Sequence, residues 1–114
     1  MNDLNQKAKE VIEFMSYDYS NFRKSSSSEI QPLFFLEEGR NYIKIFEKPV
    51  SGGLRVCGFI VKTPPKGLDN KTKEPFQVGD LLMAASWSAP AKNFARGNVF
   101  NDGWKTRVRW TGIL

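Results

Sequence analysis

The chain has 114 residues, enough for one domain with a modest core, and carries 17 Lys and Arg against 12 Asp and Glu for a net charge of +5. It holds no histidine and a single cysteine, Cys57, which excludes both a four-ligand Cys/His zinc site and a histidine-activated nucleophile. No apolar stretch reaches the roughly 20 residues of a membrane span. Asp3, Lys7, Lys9 and Glu10 stand where a signal peptide would be apolar, so a cytoplasmic protein without disulfide or cofactor is expected.

In chain order, Leu4, Ala8, Val11, Ile12 and Met15 fall at helical spacing, and Asn2 or Asp3 is available as a cap, which predicts an amphipathic helix within residues 1–16. Such a helix can pack against the rest of the domain, form a homodimer contact or stay loosely attached. Residues 17–29 read as a connector: Tyr17, Tyr19, Phe22, Arg23 and Lys24 precede four serines, Ser25 to Ser28. Rings of this kind either anchor a linker to the core or form an arm that closes on a ligand.

Residues 30–114 read as the β domain. Leu33 to Leu36 is a short apolar run, Glu37-Glu38-Gly39 a turn, and Arg40 to Val50 a long strand. Ser51-Gly52-Gly53 signals a hairpin into Leu54 to Thr63, where Arg55, Cys57, Phe59 and Val61 share one face and Gly58 marks a bulge or a close backbone approach. Cys57 reads there as a small buried hydrophobe. A polar loop over 64–74 carries Lys66, Lys71 and Lys73, with Lys62 just before it. A strand over Phe76 to Trp87 follows, then a short helix opened by Ser88-Ala89-Pro90 and closed near Gly97. Asn101-Asp102-Gly103 signals another hairpin, and the last strand is Trp104 to Ile113. There Lys105, Arg107 and Arg109 share one face, while Trp104 and Trp110 share the opposite, core-facing one.

The strongest signal is the alternation of Tyr42, Lys44, Phe46 and Lys48 with Ile43, Ile45 and Glu47. Successive strand residues point to opposite faces, so two rings and two ammonium groups occupy one face. The plain reading is a solvated sheet face with two surface aromatics. The chemical reading is a nucleic-acid groove, where rings stack on bases and cations neutralise phosphate.

Five strands with a helix between the third and fourth describe an OB-like barrel preceded by a helix. An SH3-like barrel or a curved antiparallel sheet fits the same elements. The run Leu36-Glu37-Glu38-Gly39-Arg40-Asn41-Tyr42-Ile43-Lys44-Ile45-Phe46 resembles the opening strand of OB-fold, phage-type single-stranded DNA-binding proteins. By that resemblance Tyr42, Lys44 and Phe46 touch the strand. The chain as given ends Thr111-Gly112-Ile113-Leu114, without the acidic tail through which many such proteins recruit partners.

The expected function is therefore non-catalytic binding of single-stranded DNA, or of RNA, with little sequence preference. Tyr42, Phe46 and Phe59 are the candidate stacking platforms. Lys44, Lys48, Arg55, Lys62, Arg107 and Arg109 are the candidate phosphate contacts, with Lys66, Lys71 and Lys73 in a closing loop. The reading from another class is a small protein-interaction or structural subunit, since exposed rings and arginine also mark protein interfaces. An enzyme is not expected: Asp102 sits in a turn and Asp80 beside Gly79, both ordinary structural uses of aspartate.

Overall fold

The apolar stripe of the N-terminal helix runs further than its first four turns. In a computed structural model describing residues 3–22, 33–48, 53–109 and 112–113, helix α1 spans Asp3–Phe22. Ala8, Val11, Met15 and Tyr19 are buried along it, and Tyr19 lies four residues beyond Met15, one further step on the same face. The first residues of the expected connector are therefore helical. Arg23, Lys24 and the four serines lie outside the described residues.

Four strands follow in one antiparallel sheet of order β1-β2-β3-β4: β1 Leu33–Glu38, β2 Tyr42–Lys48, β3 Arg55–Val61 and β4 Leu81–Leu82. Strands β5 Val108–Arg109 and β6 Gly112–Ile113 pair separately. The chain is thus mainly β with one N-terminal helix. Strands β1 and β4 are the sheet edges, and among the described residues no pairing closes the sheet into the expected five-stranded barrel.

Three expected elements take other forms. The strand expected over Phe76 to Trp87 is reduced to Leu81–Leu82, because a turn closed by Asp80 N donating to Gln77 O at 3.1 Å precedes it and the turn closed on Ala89 O follows. The segment expected as a helix over 88–97 instead folds back along its own preceding strand: Leu81 N donates to Gly97 O at 2.8 Å, Arg96 N to Leu81 O at 2.8 Å and Ala91 N to Met83 O at 2.7 Å. These amides pair with groups distant along the same chain, so no helical ladder forms. The strand expected over 104–113 begins as a 3-10 helix, Asp102–Thr106, capped by the Asn101 side chain, which accepts from Gly103 N at 3.1 Å. An asparagine that caps a helical turn spends the side chain and backbone geometry that a hairpin would need. Trp104 faces the core as expected, 3% exposed and edge-on to Phe14 at 5.3 Å, although it is on the 3-10 turn and not on a strand.

The sheet is covered on both faces. On one, Ile43, Ile45, Ile60 and Leu81 pack with Ala8, Val11 and Met15 of α1 and with Trp104, Val108 and Ile113. On the other, Phe59, Val61 and Leu82 pack with Phe76 from the long loop. That second cover reaches β2 only at Tyr42, so the rest of the β1–β2 half keeps a partly open face. Gly58 marks a close approach, since a Cβ there would fall within 2.8 Å of two Ile113 side-chain atoms and 3.0 Å from Leu82 O. Among the described residues no helix is long and apolar enough to cross a membrane.

Candidate nucleic-acid interface

The alternation along β2 is realised as a burial pattern: Ile43, Ile45 and Glu47 are buried, Tyr42, Lys44 and Phe46 half-buried, and Lys48 exposed. Strand β1 extends this face because its register sets Phe35 opposite Phe46 and Glu37 opposite Lys44. Directly opposed residues share a face and touch. Phe35 and Phe46 stack with centroids 5.4 Å apart and planes at 26°.

A third ring arrives from far along the chain. Ala85 N and Ser86 N both donate to Ala89 O at 3.0 Å, closing a tight turn with Trp87 at its tip. The Trp87 ring lies edge-on to Phe46 at 5.8 Å, and Lys44 Nζ sits 3.9 Å from the ring centroid. The same ammonium group is 3.5 Å from the Glu37 carboxylate. Phe35, Phe46 and Trp87 thus form a continuous row of rings with cations at its side. Phe35 is 38% exposed and Trp87 42%, which leaves ring surface for a stacking partner.

Beyond Lys44 the face dips into a cavity of about 370 Å³ lined by Glu37, Arg40, Asn41, Tyr42, Lys44 and Ser88, with Phe59 at its apolar side. Tyr42 and Phe59 meet edge-to-face at 6.1 Å. Burial pushes the Tyr42 hydroxyl above its ordinary pKa.

The other expected site residues are placed differently. Phe59 is 2% exposed and packed under Phe76 and Leu82, so its ring faces are occupied by core. Arg55 is off this face altogether. The β2–β3 register pairs Ile45 with Gly58 but Phe46 with Val56, leaving Cys57 as an extra residue. A one-residue bulge moves everything beyond it to the opposite face. Arg55 therefore stands beside buried Glu47, with its Nε donating to Glu47 Oε1 at 2.7 Å and its terminal nitrogen closing the ion pair. Cys57 is buried as expected, and burial first of all, opposed by the Arg55 charge and reinforced by Glu47, pushes its thiol up to about 12.

Lys62 donates to Glu38 and to Gly39 O, tying the end of β3 to the β1–β2 turn. The 64–74 loop is held against the 93–95 segment: Asp69 accepts from Lys71 N, Thr72 N and Ala95 N, and Asn70 N donates to Asn93 O at 2.7 Å. Burial alone would raise the Asp69 pKa, yet the Ala95, Thr72 and Lys71 amides and the Lys71 charge outweigh it and hold the carboxyl below its ordinary value. Lys66 and Lys73 are exposed on that loop, while Lys71 lies 4.7 Å over the Phe94 ring. Arg107 and Arg109 are exposed on the segment whose Val108 and Ile113 join the α1-side core. Lys105 is on the 3-10 turn, so no three-cation strand face forms.

The expected residues that do come together are Tyr42, Lys44, Phe46 and Lys48. Phe35, Glu37, Trp87 and the Ser88 wall were missed. For Phe35 a signal existed, since pairing across the Glu37-Glu38-Gly39 turn brings one alternate set of the Leu33–Leu36 run beside Phe46. For Trp87 none existed, because a ring at the tip of a distant turn is placed by tertiary closure alone. Among the described residues no group of three His, Cys, Asp or Glu is placed to hold a metal. The chain matches no protein-family model, no curated protein and no solved structure.

Proposed function

We propose that the protein binds single-stranded nucleic acid, DNA in the first instance, on the open β1–β2 face and catalyses no reaction. The observation that carries the reading is the row Phe35–Phe46–Trp87 flanked by Lys44 and Lys48. Partly exposed, mutually supporting rings beside cations suit bases and phosphates at once, with stacking contributing about 1–3 kcal/mol per base. The use of an early β-strand face is OB-like, and the reading does not depend on closing the sheet into a barrel. RNA fits the same surface, because nothing identified on it is directed at a 2′-hydroxyl.

One observation favours a second reading. Glu37 already neutralises part of the Lys44 charge, which leaves an aromatic surface suited to a protein partner. Titration of intrinsic fluorescence with oligothymidines of increasing length, at several salt concentrations, separates the two. Length-dependent quenching that weakens with salt, by about 0.7 log units of affinity per log unit of salt for each neutralised phosphate, is the expected result. No response from a folded protein at low salt removes the nucleic-acid reading and leaves the protein interface.

A further inference from the structure

The cavity beside Lys44 has no part in nonspecific stacking, and its chemistry differs from that of the ring row. Its volume of about 370 Å³ lies near the lower end of small-ligand sites, about 300–1,000 Å³. Tyr42 gives it a ring wall and Ser88, next to Trp87, closes it toward the row. Glu37 and Lys44 line it together, 3.5 Å apart, so a carboxylate acceptor and an ammonium donor are presented side by side. Tyr42, Lys44 and Phe46 are successive residues on one face of β2, so the cavity is about 13 Å along the strand from Phe46, measured to Tyr42.

Resting on the nucleic-acid reading, we infer that this cavity takes one unstacked base from the bound strand and prefers guanine. Unpaired bases are commonly recognised by stacking on a side-chain ring and hydrogen bonding along the Watson–Crick edge. Of the four bases, guanine alone places two adjacent N–H donors, N1–H and N2–H, beside an acceptor, O6. One carboxylate accepts both donors, and a cation next to it donates to the oxygen. Glu37 and Lys44 supply that pair, while Tyr42 supplies the ring. Thymine and cytosine leave part of the pair unmatched, and adenine presents only one donor group to the carboxylate.

The experiment compares an oligothymidine with the same oligomer carrying one guanine, and measures guanosine monophosphate against the other three nucleotides, by fluorescence and by calorimetry. The expected result is at least about fivefold tighter binding of the guanine-containing oligomer, the lower bound for a good bidentate base contact. Glu37→Gln is expected to bring that ratio close to one, because an amide accepts from only one of the two N–H groups. Glu37 is largely exposed, so the fold does not depend on its charge, and circular dichroism of the variant checks this. Equal binding of the two oligomers, or a guanine preference that survives in Glu37→Gln, overturns the inference and leaves single-strand binding standing. Binding of guanosine monophosphate without any oligomer binding overturns both the inference and the single-strand reading, since no bound strand then delivers the base. Binding of neither removes both.

Discussion

Lys44 Nζ lies 3.9 Å from the Trp87 ring centroid while its other neighbour is the Glu37 carboxylate at 3.5 Å. One ammonium group therefore fixes the indole of a distant turn against the β1–β2 face. Attraction of a cation to an aromatic face is worth about 0.5–2 kcal/mol between exposed and desolvated sites, enough to orient the ring. Trp87 stays 42% exposed and available to a base.

Trp87→Ala is accordingly expected to weaken oligothymidine binding by about 1–3 kcal/mol and to change thermal stability by less than about 1 kcal/mol. Trp87→Phe is expected to keep most of the affinity and to lose the part of the fluorescence response that Trp87 contributes, Trp104 being buried against Phe14. Binding curves and melting curves on the same samples decide both points. Equal affinity of Trp87→Ala and the parent protein removes Trp87 from the interface.

Arg55 tests the bulge. Its guanidinium satisfies Glu47, which is 3% exposed on the face opposite the ring row. Removing it strands a buried carboxylate, so Arg55→Ala is expected to cost about 1–3 kcal/mol of stability by denaturant unfolding. Because Arg55 faces away from the row, the salt dependence of oligonucleotide binding is expected to stay unchanged. A salt slope reduced by about 0.7 would instead count Arg55 among the phosphate contacts.

The same bulge shows where the sequence stops being legible. Period-2 alternation along Tyr42–Lys48 carries through to the structure residue by residue because both faces of that strand have distinct surroundings. The apolar stripe of α1 is equally readable, and only its last step at Tyr19 went unrecognised. Strand β3 is apolar on both faces, so its alternation holds no information about register, and an extra residue at Cys57 leaves no trace except the glycine beside it. Lys105, Arg107 and Arg109 alternate as a strand would, yet the Asn101 cap and the burial of Trp104 impose a 3-10 turn. Trp87 reaches Lys44 only because 80–99 folds back on itself, a long-range outcome with no local signature.

Cys57 offers a readout of opening. With its thiol pushed up to about 12, the folded protein carries almost no thiolate at pH 8. Since the thiolate is the nucleophile, alkylation of the native protein at that pH is expected to be far slower than in denaturant, following unfolding and not surface encounter. Mass spectrometry after a timed iodoacetamide pulse measures this. Rapid labelling of folded protein would place Cys57 outside the core.

The acid limb of stability is expected to report Asp69. Its folded-state pKa is depressed, because three backbone amides and the Lys71 charge outweigh the cost of burying the carboxylate. A depressed carboxyl binds its proton more readily in the unfolded chain, so acid favours unfolding. The stabilisation is fully present above the unfolded value of about 3.9 and is lost as pH falls through the folded value. Melting temperature is thus expected to be insensitive to this group from neutrality to about pH 5, then to fall more steeply in the parent protein than in Asp69→Asn. The variant itself melts lower at pH 7, since its amide can accept through one oxygen and no longer serves Lys71, Thr72 and Ala95 together. Identical acid limbs for the two proteins would transfer the acid sensitivity to another carboxylate, and an unchanged melting temperature at pH 7 would mean that the 64–74 loop does not hang on Asp69.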